Sequence, residues 1–250
     1  MPKPNKNSRV NKPKIYWSAS RHRTSVECPR QFAFKYKMNM LYDQDETPFL
    51  YGSMMHKHLE GQDVSAELER VMTIMERPIE LASDFEVHKV HAKEYLERLK
   101  VKKTDKKEYE FCTPIKYPSG RKPKFDIKVY GFIDRVISKD RIIEYKTSTA
   151  PYSPAMINNN DQFTFYLWQR WAETGRLHEL FLLNFFKSSK SRKAGVQLKL
   201  VKRTLIDFED LMERMEQQWG KCQKGDCMEK KESYNCRWCP FKDICSNFDL

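Results

Sequence analysis

"YGFIDRVISKDRIIEYKTS", residues 130–148, places Asp134, Glu144 and Lys146 inside two apolar runs. A strand meant only for burial would hold such charges at its ends. The two runs flank "SKD" and read as antiparallel strands joined by a short turn. Glu144 and Lys146 are two apart, so they share one face while Tyr145 points to the other. Opposed residues of an antiparallel pair project to the same side. A three-residue loop centred on Lys139 sets Asp134 opposite Glu144. A two-residue turn sets it opposite Tyr145 and splits the charged set between two faces.

Outward from this hairpin, "YEFCTPIKY" and "DIKVYGFIDRVI" precede "RIIEYKT" as strands of a meander. Residues 158–174, "NNNDQFTFYLWQRWAET", form an amphipathic helix with an Asn/Asp start and Gly175 at its end. "LHELFLLNFFK" and "GVQLKLVK" then read as strands and "LIDFEDLMERMEQQW" as a helix. Upstream, residues 18–40 read as a Ser-capped start, a Cys-Pro break and a basic-aromatic helix. One helix is expected over 52–76, and another over 83–100 after Pro78. The order predicts an α/β (α+β) chain with a mixed central sheet flanked by helices. The expected organisation is a disordered basic arm over 1–14 and one domain over 15–250. That domain divides into a helical subregion (15–105), a core (106–220) and a cysteine-rich tail (221–250).

Of 250 residues, 40% are hydrophobic, enough for a core, and the net charge of +12 favours a polyanionic partner. No apolar run reaches the ~18 residues of a membrane span, and no apolar stretch follows the basic start. A soluble cytoplasmic protein with no membrane partner is expected. Seven cysteines, an odd number, fit a reducing compartment better than a disulfide framework.

Asp134 and Glu144 held together repel unless a cation lies between them, and hard oxygen ligands suit Mg2+ or Mn2+. A lysine beside them can orient an attacking water and offset charge developing on a phosphorane-like centre. Asp, Glu and Lys so placed are phosphodiester-hydrolysis chemistry. An isolated Glu-x-Lys would more often be a surface ion pair, but here apolar flanks and Gly131 surround it. "GFIDR" followed by "IIEYKTS" resembles the paired motifs of the PD-(D/E)XK nuclease superfamily, in its RecB-type branch. That branch carries an upstream Gly-x-x-x-His, matched here by Gly52 and His56 in "GSMMHKHLE", and a downstream Gln-x-x-x-Tyr, matched by Gln162 and Tyr166 in "QFTFY". The resemblance implies a restriction-endonuclease-like core and metal ligands His56, Asp134, Glu144 and the Tyr145 carbonyl. It makes Lys146 the catalytic lysine, with Gln162 and Tyr166 facing the phosphate backbone or positioning Lys146. Glu60 shares the His56 face and either holds that imidazole or is simply solvated, and His58 is expected on the surface.

Cys236, Cys239 and Cys245 form "CRWCPFKDIC", with Trp238 and Phe241 placed to shield what the thiolates bind. A fourth thiolate comes from Cys227 nearby or Cys28 far upstream. Zinc is the default for four cysteines, although its sites commonly use two close pairs. Nucleases of the AddB and CRISPR-associated exonuclease kinds have one cysteine in a "CPR" segment before the core and three after it. "ECPRQFAFKY" is similar to that segment. The resemblance therefore implies a [4Fe–4S] cluster on Cys28, Cys236, Cys239 and Cys245, acting as a structural clip. Cys112 reads as a small core residue, and Cys222 and Cys227 as free thiols.

The resulting expectation is a metal-dependent DNA exonuclease acting on single strands or ends, in recombination, repair or adaptation-like processing. Arg21, Arg23, Arg30 and Lys35 are candidate backbone contacts. No Gly-rich phosphate-binding lysine loop is present, so a helicase, recombinase or adaptation protein is expected as a partner. The rival readings are a catalytically silent scaffold and a zinc-stapled binding module.

Overall fold

The computed structural model describes residues 16–42, 47–138 and 140–247. The arm expected over 1–14 and the turn residue Lys139 lie outside them. Strands β1 (Lys106–Pro114), β2 (Lys128–Val136) and β3 (Arg141–Ser148) form the expected meander, with β1–β2 and β2–β3 antiparallel. A crossover through α6 (Pro154–Asn158) and α7 (Asp161–Thr174) then brings β4 (Glu179–Phe186) in parallel to β3, and β5 (Gly195–Val201) closes the mixed sheet antiparallel to β4. The strand order is 1-2-3-4-5. This is the α+β architecture expected, and that of a restriction-endonuclease-like fold.

The sheet separates two apolar clusters. On one face Ile142, Leu180 and Leu182 meet Phe163 and Leu167 of α7 and Phe208, Leu211 and Met215 of α8 (Leu205–Lys224). On the other, Ile143, Tyr145, Leu183 and Phe185 meet Tyr51, Met54 and Met55 of α3 (Thr47–Leu59). Val71 of α4 (Ser65–Ile74) and Phe85 of α5 (Pro78–Arg98) complete that second cluster. Strand β3 is apolar on both faces because helices cover both.

Several boundaries differ from the expectation for local reasons. The single helix expected over 52–76 is two, because Gly61, at φ 82°, turns the chain where other residues would be strained. Helix α5 starts at Pro78, a residue suited to the first turn because its missing N–H has no helical acceptor there. Asn160 accepts from the N–H groups of Gln162 and Phe163, which starts α7 afresh after α6.

The N-terminal segment joins the sheet. Trp17 donates to the Lys128 carbonyl at 2.8 Å and its own carbonyl accepts from Tyr130 at 2.8 Å. Helix α1 (Ala19–Glu27) then buries His22, whose Nε2 lies 3.3 Å from Asp161 at the start of α7. Arg214 of α8 grips the same carboxylate with two bonds of 2.8 Å. Burial opposes ionisation of Asp161, but the bonds from Arg214 and His22 outweigh it and hold the carboxyl well below its usual range. Asp161→Asn is expected to cost about 1–2 kcal/mol near neutral pH, with the exposed part of the site screened by water. A depressed carboxyl stabilises above its unfolded pKa of about 3.9, so the gap between wild type and variant should close in denaturation curves taken at falling pH.

Candidate active site

Ile137 donates to the Arg141 carbonyl at 3.1 Å, Val136 pairs with Ile142, and Arg135 pairs with Ile143. Three positions separate Ile137 from Arg141, and the next step of the register sets Asp134 against Glu144. That register is the one an odd number of intervening residues requires. The paired ladder ends there, however. Tyr145 N–H goes to Asp134 Oδ2 at 2.7 Å, so a side chain takes a donor that a regular strand would keep. Ile133 and Val136 both pack on the first cluster although three residues apart, so strict face alternation slips across Asp134. On the other side of β2, Glu108 of β1 adopts φ 43° beside this irregularity. The strands part where the carboxylates sit, and the gap becomes a cleft.

That cleft, about 420 Å³, is lined by His56, Asp134, Glu144, Lys146, Gln162 and Tyr166 among others. Glu144 Oε1 meets Lys146 Nζ at 2.6 Å and accepts from Gln162 Nε2 at 3.1 Å. Gln162 Nε2 also lies 2.7 Å from the Tyr166 hydroxyl, one helical turn along α7. His56 Nδ1 is 3.6 Å from Asp134 Oδ1, and its ring meets Tyr145 edge-on. Glu144 Oε2 is buried and has no hydrogen-bond partner among the described residues.

Burial, then the charge of Asp134, pushes the Glu144 carboxyl up, and burial also raises Asp134. Burial lowers His56, which favours the neutral imidazole a cation needs. Lys146 is penalised by burial, but Glu144 outweighs this and keeps its ammonium form. Two close carboxyls, both pushed up chiefly by burial, and a neutral imidazole beside them are donors whose chemistry fits a hard divalent ion. Among the described residues, no three His, Cys, Asp or Glu side chains already converge closely enough to hold one.

Gly52 explains the spacing to His56. A Cβ there would come within 2.9 Å of Thr147 Oγ1 on β3, so glycine lets α3 lie close enough for His56 to reach Asp134. Gly52→Ala is expected to lower stability by about 1–2 kcal/mol despite alanine's better helix propensity. Adding Thr147→Ala should restore more than additivity allows, as urea titrations of the single and double variants would show.

Other expected residues fall elsewhere. Glu60 accepts from Gln62 Nε2 at 2.6 Å, with no hydrogen bond to His56 among the described contacts. His58 is half-buried against the Phe85 ring rather than on the surface. Of the N-terminal basic residues, Arg23 pairs with Glu27 on the surface. Arg30 is buried and donates to the Met228 carbonyl, which removes it from any strand-binding surface. Phe32 and Phe34 are likewise buried, so the expected basic-aromatic helix is largely core.

Cys28, Cys236, Cys239 and Cys245 all line one cavity of about 340 Å³. Phe241 is buried beneath it, edge-on to Phe34, whereas Trp238 is 76% exposed and is not among the described residues lining the cavity. Burial raises the Cys239 thiol against a hydrogen bond with the Phe241 backbone, and Cys28, Cys245 and Cys236 add to the rise. Cys222 and Cys227 are buried free thiols, and Cys112 is half-buried on β1.

Residues 16–246 match the PD-(D/E)XK nuclease superfamily. The chain belongs to that superfamily. Its members usually use Mg2+ or Mn2+, in keeping with the donors around Glu144. No curated protein matches the chain. Among solved structures, "Putative exonuclease" from Eubacterium rectale is 12% identical with a TM-score of 0.59, covering 94% of this chain and 88% of its own, a likeness of fold. SSO0001 is 19% identical with a TM-score of 0.47, covering 95% of this chain and 88% of its own. An alkaline exonuclease (LHK-Exo) from Laribacter hongkongensis is 11% identical with a TM-score of 0.33, covering 84% of this chain and 89% of its own. Among the described residues no helix is long and apolar enough to cross a membrane.

The aromatic side of the cleft, formed by Tyr16, Tyr130 and Phe132, did not emerge from the sequence reading. Its one local signal is the pair of large rings flanking Gly131, just before Asp134.

Proposed function

We propose that this nuclease is a metal-dependent DNA exonuclease that hydrolyses single strands or DNA ends. The observation that carries the reading is Glu144: a buried carboxylate with one oxygen held by Lys146 and Gln162 and the other orphaned beside Asp134. Asp134, Glu144, His56 and the Tyr145 carbonyl would hold Mg2+ or Mn2+. Bound there, the ion would supply Lewis-acid activation of a water and would offset charge on the phosphoryl oxygens. Lys146, its ammonium kept by Glu144, orients the attacking water and stabilises negative charge as the phosphorus becomes five-coordinate. Gln162 fixes the Glu144 carboxylate and the Tyr166 hydroxyl together, so α7 positions the acidic pair against the substrate backbone.

The second part of the proposal is a [4Fe–4S] cluster on Cys28, Cys236, Cys239 and Cys245. The donor set is all thiol and shares one cavity. Arg21 and Lys35 remain the basic residues suited to backbone contact. DNA is the proposed partner, with a helicase, recombinase or adaptation protein supplying any motor. A time course with Mn2+ on end-labelled single-stranded and duplex DNA tests the activity. Stepwise loss of nucleotides from an end supports an exonuclease, and internal cutting of a circular strand at the same rate contradicts it.

A further inference from the structure

The catalytic cleft has an aromatic wall that the hydrolytic residues do not use. Tyr16 and Tyr130 meet edge-on at 5.1 Å between ring centroids, and Tyr130 meets Phe132 edge-on at 5.5 Å. The set is held rigidly. Trp17, next to Tyr16, is hydrogen-bonded into β2 on both sides of Val129, and the Tyr130 hydroxyl donates to Glu110 at 2.7 Å. The Arg21 guanidinium lies 3.9 Å from the Tyr16 centroid, bringing positive charge to the outer end of the row.

Phe132 ends the row nearest the carboxylates. It is two residues before Asp134 in the same strand, lines the same cleft, and is 44% exposed, while Ile133 beside it is fully buried. A large ring left open to water at the edge of a catalytic cleft invites a planar apolar partner. Two strand residues span ~6.8 Å, about twice the ~3.4 Å spacing of stacked nucleotides in one DNA strand. A base one or two nucleotides from a phosphodiester at Asp134 and Glu144 would lie within that span.

We propose that Phe132, braced by Tyr130 and Tyr16, stacks an unpaired nucleobase next to the scissile phosphodiester, and so selects single-stranded or frayed DNA over paired ends. The inference rests on the nuclease reading above, and it names the substrate class of that same site. A base inside a duplex offers neither face to a protein ring and a terminal pair offers only its outer one, so a base on the interior side of a scissile phosphodiester must leave its partner before it can stack here. Arg21 at the outer end suits the phosphate that follows.

The test uses the full chain and a single-stranded oligonucleotide with 2-aminopurine near its end, with Ca2+ in place of Mn2+. Wild type and Phe132→Tyr should quench the fluorescent base, and Phe132→Ala should lose most of that quenching. With Mn2+, Phe132→Ala should raise KM for the single strand about 10-fold, and more than for the blunt duplex of the same sequence. Unchanged quenching in Phe132→Ala, or equal losses on single strand and duplex, would overturn the proposal. Because quenching is read without cleavage, an inactive wild type would count against the nuclease reading and leave the stacking result to stand or fall on its own.

Discussion

Lys146→Ala should lower the rate of Mn2+-dependent DNA hydrolysis by about 10²–10³-fold, the loss found when one preorganised donor to a transition-state charge is removed. The geometry behind this is short-range. Lys146 Nζ lies 2.6 Å from Glu144 on the cleft side of β3, and among the described residues no second lysine lines that cleft. The fold should survive its removal, because its side chain belongs to neither apolar cluster and Gln162 still holds Glu144. The variant should keep its far-ultraviolet circular dichroism and still bind DNA while turning over slowly. Lys146→Arg should not rescue it, since a planar guanidinium cannot occupy the position of a compact ammonium between Glu144 and water. Equal rates in wild type and Lys146→Ala would remove Lys146 from the chemistry.

Cys28→Ser is expected to have the largest effect on stability. Cys28 caps the start of α2 (Pro29–Phe32), more than 200 residues before its proposed partners, and Arg30 in that helix already bonds the Met228 carbonyl and approaches the Cys245 sulfur at 3.7 Å. A cluster joining these segments would add folding free energy that the apolar contacts here cannot replace. Anaerobically purified wild type should absorb near about 400 nm, and Cys28→Ser should lose that band. Its Tm should fall by roughly 10 °C or more, the shift that several kcal/mol produces in a chain of this size. Colourless wild type carrying zinc, with Cys28→Ser equally stable, would contradict the assignment.

Much of this was legible in the sequence, and the failures have physical causes. Period-two placement of Glu144 and Lys146 put them on one face, and the β3–β4 pairing confirms a strand there. The "SKD" turn admits two or three loop residues, and only the observed register settles which. Gly-x-x-x-His was recognisable as a pattern, but its reason, the approach of α3 to Thr147, is a tertiary contact invisible along the chain. Arg30, Phe32 and Phe34 looked like a nucleic-acid surface because composition cannot tell a basic-aromatic helix that faces a strand from one that packs beneath a cysteine tail. The aromatic wall was missed for a similar reason. Tyr16 stands beside Tyr130 only because Trp17 pairs with Val129, across more than a hundred residues.

The central claim is that Asp134 and Glu144 are held together to bind a divalent ion. Electron paramagnetic resonance of free Mn2+, titrated with the full chain, measures that directly. Wild type should remove Mn2+ from solution into a bound site, and the Asp134→Asn/Glu144→Gln double variant, folded to the same extent, should not. A double variant that takes up Mn2+ with wild-type affinity and stoichiometry would contradict it.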